Sequence, residues 1–213
     1  MDGKSHLATG VVFAGMGLLV TDAPLQTSAI PLIVGGFSGL VPDLDHSNST
    51  LTKRLSVPFK MLISLAISIA TLYFSSQLYM TNNAIWIYWG VVILGVILLT
   101  LMFLLKPKLV LLITGIILVV VGLVLKEQFI SLILFGVYVM IASHLKHRGL
   151  THSLYFLIFW SLISFFAQRE TGLSGIWLAG TLGYLSHLLT DDWFTKTKVK
   201  WLKPKEFKCL YKK

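Results

Sequence analysis

The stretch Ala84–Leu105, AIWIYWGVVILGVILLTLMFLL, runs for 22 residues without a charged side chain. As an α-helix it would be about 33 Å long, enough to cross the ~30 Å hydrocarbon layer of a bilayer. Working outward, the same pattern recurs on both sides. Phe59–Tyr79 precedes it across the turn signal Thr81-Asn82-Asn83, and Leu109–Leu125 follows Lys106-Pro107-Lys108. Leu150–Ala167 and Leu173–Leu189 approach the spanning length, whereas Leu7–Val20, Ser28–Val41 and Phe129–Ser143 are shorter or interrupted by polar residues. Lys126-Glu127-Gln128 and Arg169-Glu170-Thr171-Gly172 supply further breaks. Of the 213 residues 55% are hydrophobic and 13% charged, about half the charged share of a soluble domain, roughly 25%. The predicted fold is an all-α, polytopic membrane helix bundle of about eight transmembrane or membrane-embedded helices. Residues 1–195 form a single domain, in which the motif-bearing portions 1–58 and 144–195 flank the hydrophobic helices of 59–143. Residues 196–213 form a basic cytoplasmic tail.

Charge distribution orients the bundle. The net charge is +9, and eight of the eighteen basic residues are lysines of the last eighteen positions. If eight spans leave both termini inside, the inside segments hold Lys4, Lys53, Arg54, Lys60, Lys106, Lys108, Lys146, Arg148 and the eight tail lysines. Only Lys126 and Arg169 lie outside. A split of 16 to 2 follows the positive-inside rule. The tail therefore reads as a topology anchor near anionic headgroups, and no nucleic-acid partner is expected. No small-residue cleavage site precedes Thr21, so the first apolar segment is expected to be retained rather than removed as a signal peptide. The single cysteine, Cys209, allows neither an internal disulfide nor a cysteine-based zinc site.

The same topology gathers the chemistry at one face. His6, His46, His144, His147, His152 and His187 all fall at inside helix ends, with Asp43, Asp45, Asp191 and Asp192. Ionisable groups this close to a bilayer are costly and need partners or a function. In Gly35–His46, GGFSGLVPDLDH, the glycines permit close backbone approach. Any helical turn there sets Asp43 and His46 on one side, and Asp45 is a second ligand or orients His46. In His144–Ser153, HLKHRGLTHS, His147 and His152 meet if Gly149 breaks the turn; Thr151 is a candidate N-cap and Arg148 a fork for phosphate. His144 is peripheral. In Gly183–Trp193, GYLSHLLTDDW, the i, i+4 pair His187–Asp191 forms a clip on one helix face. Imidazole with carboxylate suits zinc, manganese or iron.

These three motifs, with His6 ahead of a small-residue helix, resemble the YdjM-type membrane-bound, metal-dependent hydrolases of bacteria. That family is distantly similar to the all-helical zinc-dependent phospholipase C and P1 nuclease group. The resemblance implies that His6, Asp43, His46, His147, His152, His187 and Asp191 are metal ligands. In the soluble phospholipases the N-terminal amine also binds metal. Here the chain starts five residues before His6, so one or two metals are expected rather than three.

The expected activity is metal-dependent hydrolysis of a phospholipid or lipid-linked phosphate at the cytoplasmic face of the inner membrane. Zinc or manganese would activate water and polarise the phosphoryl oxygen. Asp43 or Asp45 would accept the proton, and Arg148 would stabilise phosphate charge. The rival expectation is a transporter or metal-handling protein. Transport requires polar groups near the bilayer midplane, but here they cluster at helix ends.

Overall fold

A computed structural model describes residues 3–21, 29–45, 50–80, 85–125, 129–145, 149–194 and 202. Among these residues there are eight α-helices and no strand. They are α1 (Gly3–Leu18), α2 (Ala29–Ser38), α3 (Thr50–Met80), α4 (Ile85–Leu104), α5 (Pro107–Val124), α6 (Ile130–His144), α7 (Leu154–Thr171) and α8 (Ile176–Phe194). Two 3-10 turns interrupt the series, Val41–Asp45 after α2 and Leu150–His152 before α7.

The helices follow the hydrophobic segments, with two informative differences. The backbone of α3 is already helical at Thr50, ahead of the apolar stretch that begins at Phe59. Hydropathy marks where apolar side chains lie, not where i→i−4 bonding stops, and Lys and Arg are good helix formers. Conversely, α7 begins only at Leu154, and Ser153 occupies its N-cap position without a side-chain cap bond. The expected N-cap role of Thr151 is thus corrected: its hydroxyl is held by Asp45 within the preceding turn.

α1, α2 and α8 pack against one another, α7 closes on α8, α5 and α6 form an antiparallel pair, and α4 packs on α3. Small residues make the first of these contacts close. A Cβ on Gly10 would lie 2.5 Å from the Gly35 carbonyl oxygen, and one on Gly183 would collide with the Gly35 backbone. Such stripes let helix backbones approach within van der Waals contact.

The buried core lies at the end of the bundle that carries the 3-10 turns. Val41, Leu44, Leu111, Tyr138, Val139, Ala142, Phe156, Leu157, Trp160, Tyr184 and Leu188 form one cluster. Its polar tips are satisfied: Trp160 Nε1 donates to Ser38 Oγ at 2.9 Å, and Tyr138 Oη lies 3.1 Å from Tyr184 Oη. Away from this core the apolar surface is open. Leu65, Ile69, Leu72 and Phe74 of α3, Ile93, Val96 and Ile97 of α4, and Val120, Leu123 and Val124 of α5 are all exposed. Monomeric soluble proteins rarely show apolar faces of this extent. α5 is, among the described residues, the helix long and apolar enough by itself to cross a membrane, and only 22% of it is buried by the protein.

Helix ends are capped by neighbours. Lys60 Nζ donates to the Leu105 carbonyl oxygen at 2.9 Å and Lys108 Nζ to that of Leu145 at 2.8 Å, placing cations where the C-terminal carbonyls of α4 and α6 gather. At the opposite end Phe129 cannot cap α6. Glu170 of α7 does so instead: Ser131 N donates to Oε1 at 2.8 Å, and Ser131 Oγ donates to Oε2. Glu170→Ala is expected to cost about 1 kcal/mol, the usual value of an N-terminal cap. Thermal melting in detergent, with Ser131→Ala and the double variant, checks this. Additive effects of the two substitutions would remove the coupling.

Candidate metal centre

Four chain segments meet at the core end of the bundle. α1 presents His6 from its first turn, the Val41–Asp45 turn presents Asp43, the Leu150–His152 turn presents His152, and α8 presents His187 and Asp191 one turn apart. Gly39 closes the approach of α1 to α2, since a Cβ there would strike the His6 carbonyl oxygen. The Val41–Asp45 turn packs against Tyr138, whose hydroxyl oxygen lies 3.4 Å from the Val41 carbonyl oxygen. The Leu150–His152 turn is tied down by Tyr184, whose hydroxyl donates to the Thr151 carbonyl oxygen at 2.5 Å.

The donor atoms converge on one small volume. His152 Nε2 and His187 Nε2 are 3.2 Å apart. Asp43 Oδ1 lies 3.7 Å from each of them. Asp191 Oδ2 lies 3.6 Å from His152 Nε2 and 3.9 Å from His187 Nε2. The other oxygen of Asp191, Oδ1, faces His6 Nε2 at 3.5 Å. The rings of His6 and His187 stack with centroids 3.9 Å apart. His6, Asp43 and His187, and likewise His152, His187 and Asp191, bring their donors within 4.8 Å of one another.

These spacings fit a cation. Tetrahedral zinc, with bonds of about 2.0–2.2 Å, sets its donor atoms roughly 3.3–3.5 Å apart. The chemistry of the donor set agrees. His187 Nδ1 is 2.7 Å from the Gly39 carbonyl oxygen, which can only accept, so Nδ1 carries the proton and Nε2 turns a lone pair into the cup. That lone pair faces two carboxylates and a second imidazole, an electron-rich arrangement that a cation relieves. His6, His152, His187 and Asp191 side chains are at most 4% exposed, whereas Asp43 is 21% exposed. Asp43 therefore marks the open side.

Of the residues singled out from the sequence, His6, Asp43, His152, His187 and Asp191 come together here. Asp45 does not face the cup. It lies behind His152, with Oδ2 3.7 Å from Nδ1 of that ring and 2.5 Å from Thr151 Oγ1, which donates to it. Asp45 Oδ2 thus approaches the Nδ1 side of the His152 ring, whereas Asp43 Oδ1 approaches its Nε2. His46, His147 and Arg148 lie outside the described residues, as does the tail of 196–213 apart from Leu202. His144 is exposed, with Nδ1 3.1 Å from the Met140 carbonyl oxygen, and belongs to neither group of converging donors. The sequence reading missed Thr190 and the Gly39 carbonyl. Thr190 Oγ1 sits 3.2 Å from His6 Nδ1. Its adjacency to Asp191 is the one sequence signal that pointed to it.

An all-α bundle with broad apolar faces and a buried histidine–aspartate cup at one end defines a membrane protein with a candidate metal centre. The chain belongs to the YdjM inner membrane protein family, whose profile matches residues 1–209. Searches of curated proteins and of solved structures return no match.

Proposed function

We propose that this chain is a membrane-bound, metal-dependent hydrolase that cleaves a phosphate ester on a lipid or lipid-linked substrate at the cytoplasmic face. One observation carries the reading. Donor atoms from four segments, His6 and Asp191 being separated by nearly the whole chain, meet at spacings of 3.2–3.9 Å. The proposal places the helices across the inner membrane several times with both termini cytoplasmic. Support comes from the 16-to-2 distribution of basic residues and from the exposed apolar faces of α3, α4 and α5.

His6, Asp43, His152, His187 and Asp191 would hold one or two cations, with His187 belonging to both groups of converging donors. When bound, a divalent cation, zinc or manganese, supplies Lewis acidity toward a phosphoryl oxygen and acidifies water. The protein's own contributions follow from burial. The imidazoles and Asp191 are shielded from bulk water, so their orientation is fixed before substrate arrives and their electrostatic effect is not diluted. Asp43, at the open side, is the carboxylate that an incoming water and phosphate meet first. It takes the proton of the water that attacks phosphorus and passes it to the alcohol oxygen that leaves as the ester P–O bond breaks.

The test uses purified protein with vesicles of phosphatidylcholine containing phosphatidate or phosphatidylethanolamine, with zinc or manganese added. Release of inorganic phosphate or of a phosphorylated headgroup should be abolished by chelator. Asp43→Asn should lower the rate by about 10²–10⁴-fold, the span of general-base catalysis. Chelator-insensitive release would remove the metal-dependent reading. Uptake of zinc or manganese into sealed vesicles without hydrolysis would assign the cup to transport instead.

A further inference from the structure

We propose that Thr151 and Thr190 are positioning residues that fix the proton of His152 and of His6 on Nδ1, so that both rings present a bare Nε2 to the cup. The inference rests on reading the cup as a metal centre, and it concerns residues that touch no cation themselves.

Proton accounting leads to it. Thr151 Oγ1 is 2.5 Å from Asp45 Oδ2. A carboxylate only accepts, so the hydroxyl proton points to Asp45. The same oxygen is 3.1 Å from His152 Nδ1 and has only a lone pair left to offer, so Nδ1 must supply the proton. Asp45 reinforces this, since its Oδ2, an acceptor, lies 3.7 Å from the same ring nitrogen. Thr190 repeats the device on the other side of the cup. Its Oγ1 donates to the His187 carbonyl oxygen at 3.0 Å, and it can therefore only accept at His6 Nδ1, 3.2 Å away. With the Gly39 carbonyl acting on His187, all three imidazoles have their tautomer set from behind. Histidines that ligate metals generally depend on such outer partners, and removing one costs about 10–100-fold in affinity. Thr151 also receives the Tyr184 hydroxyl on its carbonyl oxygen, so it is anchored at both its backbone and its side chain.

The experiment compares Thr151→Val, which keeps the shape and removes the hydroxyl, with Thr151→Ser, which restores the hydroxyl. Protein labelled with ¹⁵N at histidine is examined metal-free in detergent micelles, and zinc affinity is measured by competition with a chromophoric chelator. In the wild type the His152 nitrogens should give a protonated Nδ1 and a bare Nε2. Thr151→Val should mix the two tautomers and weaken zinc binding by about 10–100-fold, and Thr151→Ser should recover both. A Thr151→Val protein that keeps the wild-type tautomer and binds zinc within about twofold of wild type overturns the proposal, as does a Thr151→Ser protein no better than Thr151→Val. If Thr151→Val does not fold, Thr190→Val and Thr190→Ser ask the same question of His6, with the same criteria. Wild-type protein that shows the Nδ1 proton but takes up no zinc would overturn the metal reading while leaving the tautomer assignment intact.

Discussion

Replacing His187 with alanine is expected to abolish the divalent-cation binding proposed for the cup. The ring lies at the centre of the arrangement: its Nε2 is within 3.2–3.9 Å of donors from His152, Asp43 and Asp191, and it belongs to both clusters of close-set donors. Outer partners of metal ligands are worth about 10–100-fold in affinity, so loss of a central ligand should exceed about 100-fold. Elemental analysis of wild type and variant, followed by titration against a chelator, measures this directly. His144→Ala is the control, since that ring is exposed and faces its own helix; it should leave metal content unchanged. A His187→Ala protein with wild-type metal content would refute the assignment of the cup, as would a wild type that is metal-free under zinc- and manganese-replete growth.

The second large effect is expected where two glycines meet, one helical turn from His187. Gly183→Ala would place a methyl group against the carbonyl oxygen, carbonyl carbon and Cα of Gly35. All three are backbone atoms, so no rotamer change can accommodate it and α2 and α8 must separate. Overpacking of this kind costs about 1–3 kcal/mol. The same pair of segments is bridged by the bond from His187 Nδ1 to the Gly39 carbonyl oxygen, so their separation should reduce metal affinity together with melting temperature. Gly90→Ala, where a Cβ meets nothing within 4 Å, should leave both unchanged or raise stability slightly, because alanine is the better helix former. Equal behaviour of the two variants would show that the contact carries no weight.

Much of this architecture can be read from the chain because long charge-free stretches leave few alternatives. AIWIYWGVVILGVILLTLMFLL has no polar face on which to stop a helix, and α4 runs from Ile85 to Leu104 accordingly. The i, i+4 spacing of His187 and Asp191 likewise reports a shared helix face, and their donors lie 3.9 Å apart. What the chain does not display is direction in three dimensions. Asp43 and Asp45 have the same chemistry two positions apart, yet one faces the open side of the cup and the other lies behind His152. That difference arises from the twist of a 3-10 turn, which leaves no periodic signature. Thr151 and Thr190 are more deeply hidden from sequence reading. A hydroxyl that lends its proton to one neighbour and its lone pair to another resembles any other polar residue until both neighbours are in place. The early start of α3 has a simpler cause, since helical backbone continues through Lys53 and Arg54 where hydropathy has already fallen.

His6 stands in the first turn of α1, and Asp191 lies near the end of α8. During synthesis His6 emerges well before Asp191. Until α8 is made, His6 lacks the Asp191 carboxylate, and the pocket closes when α8 docks beside α1. The convergence of His6 with Asp191 therefore depends on α8 being made and docked beside α1.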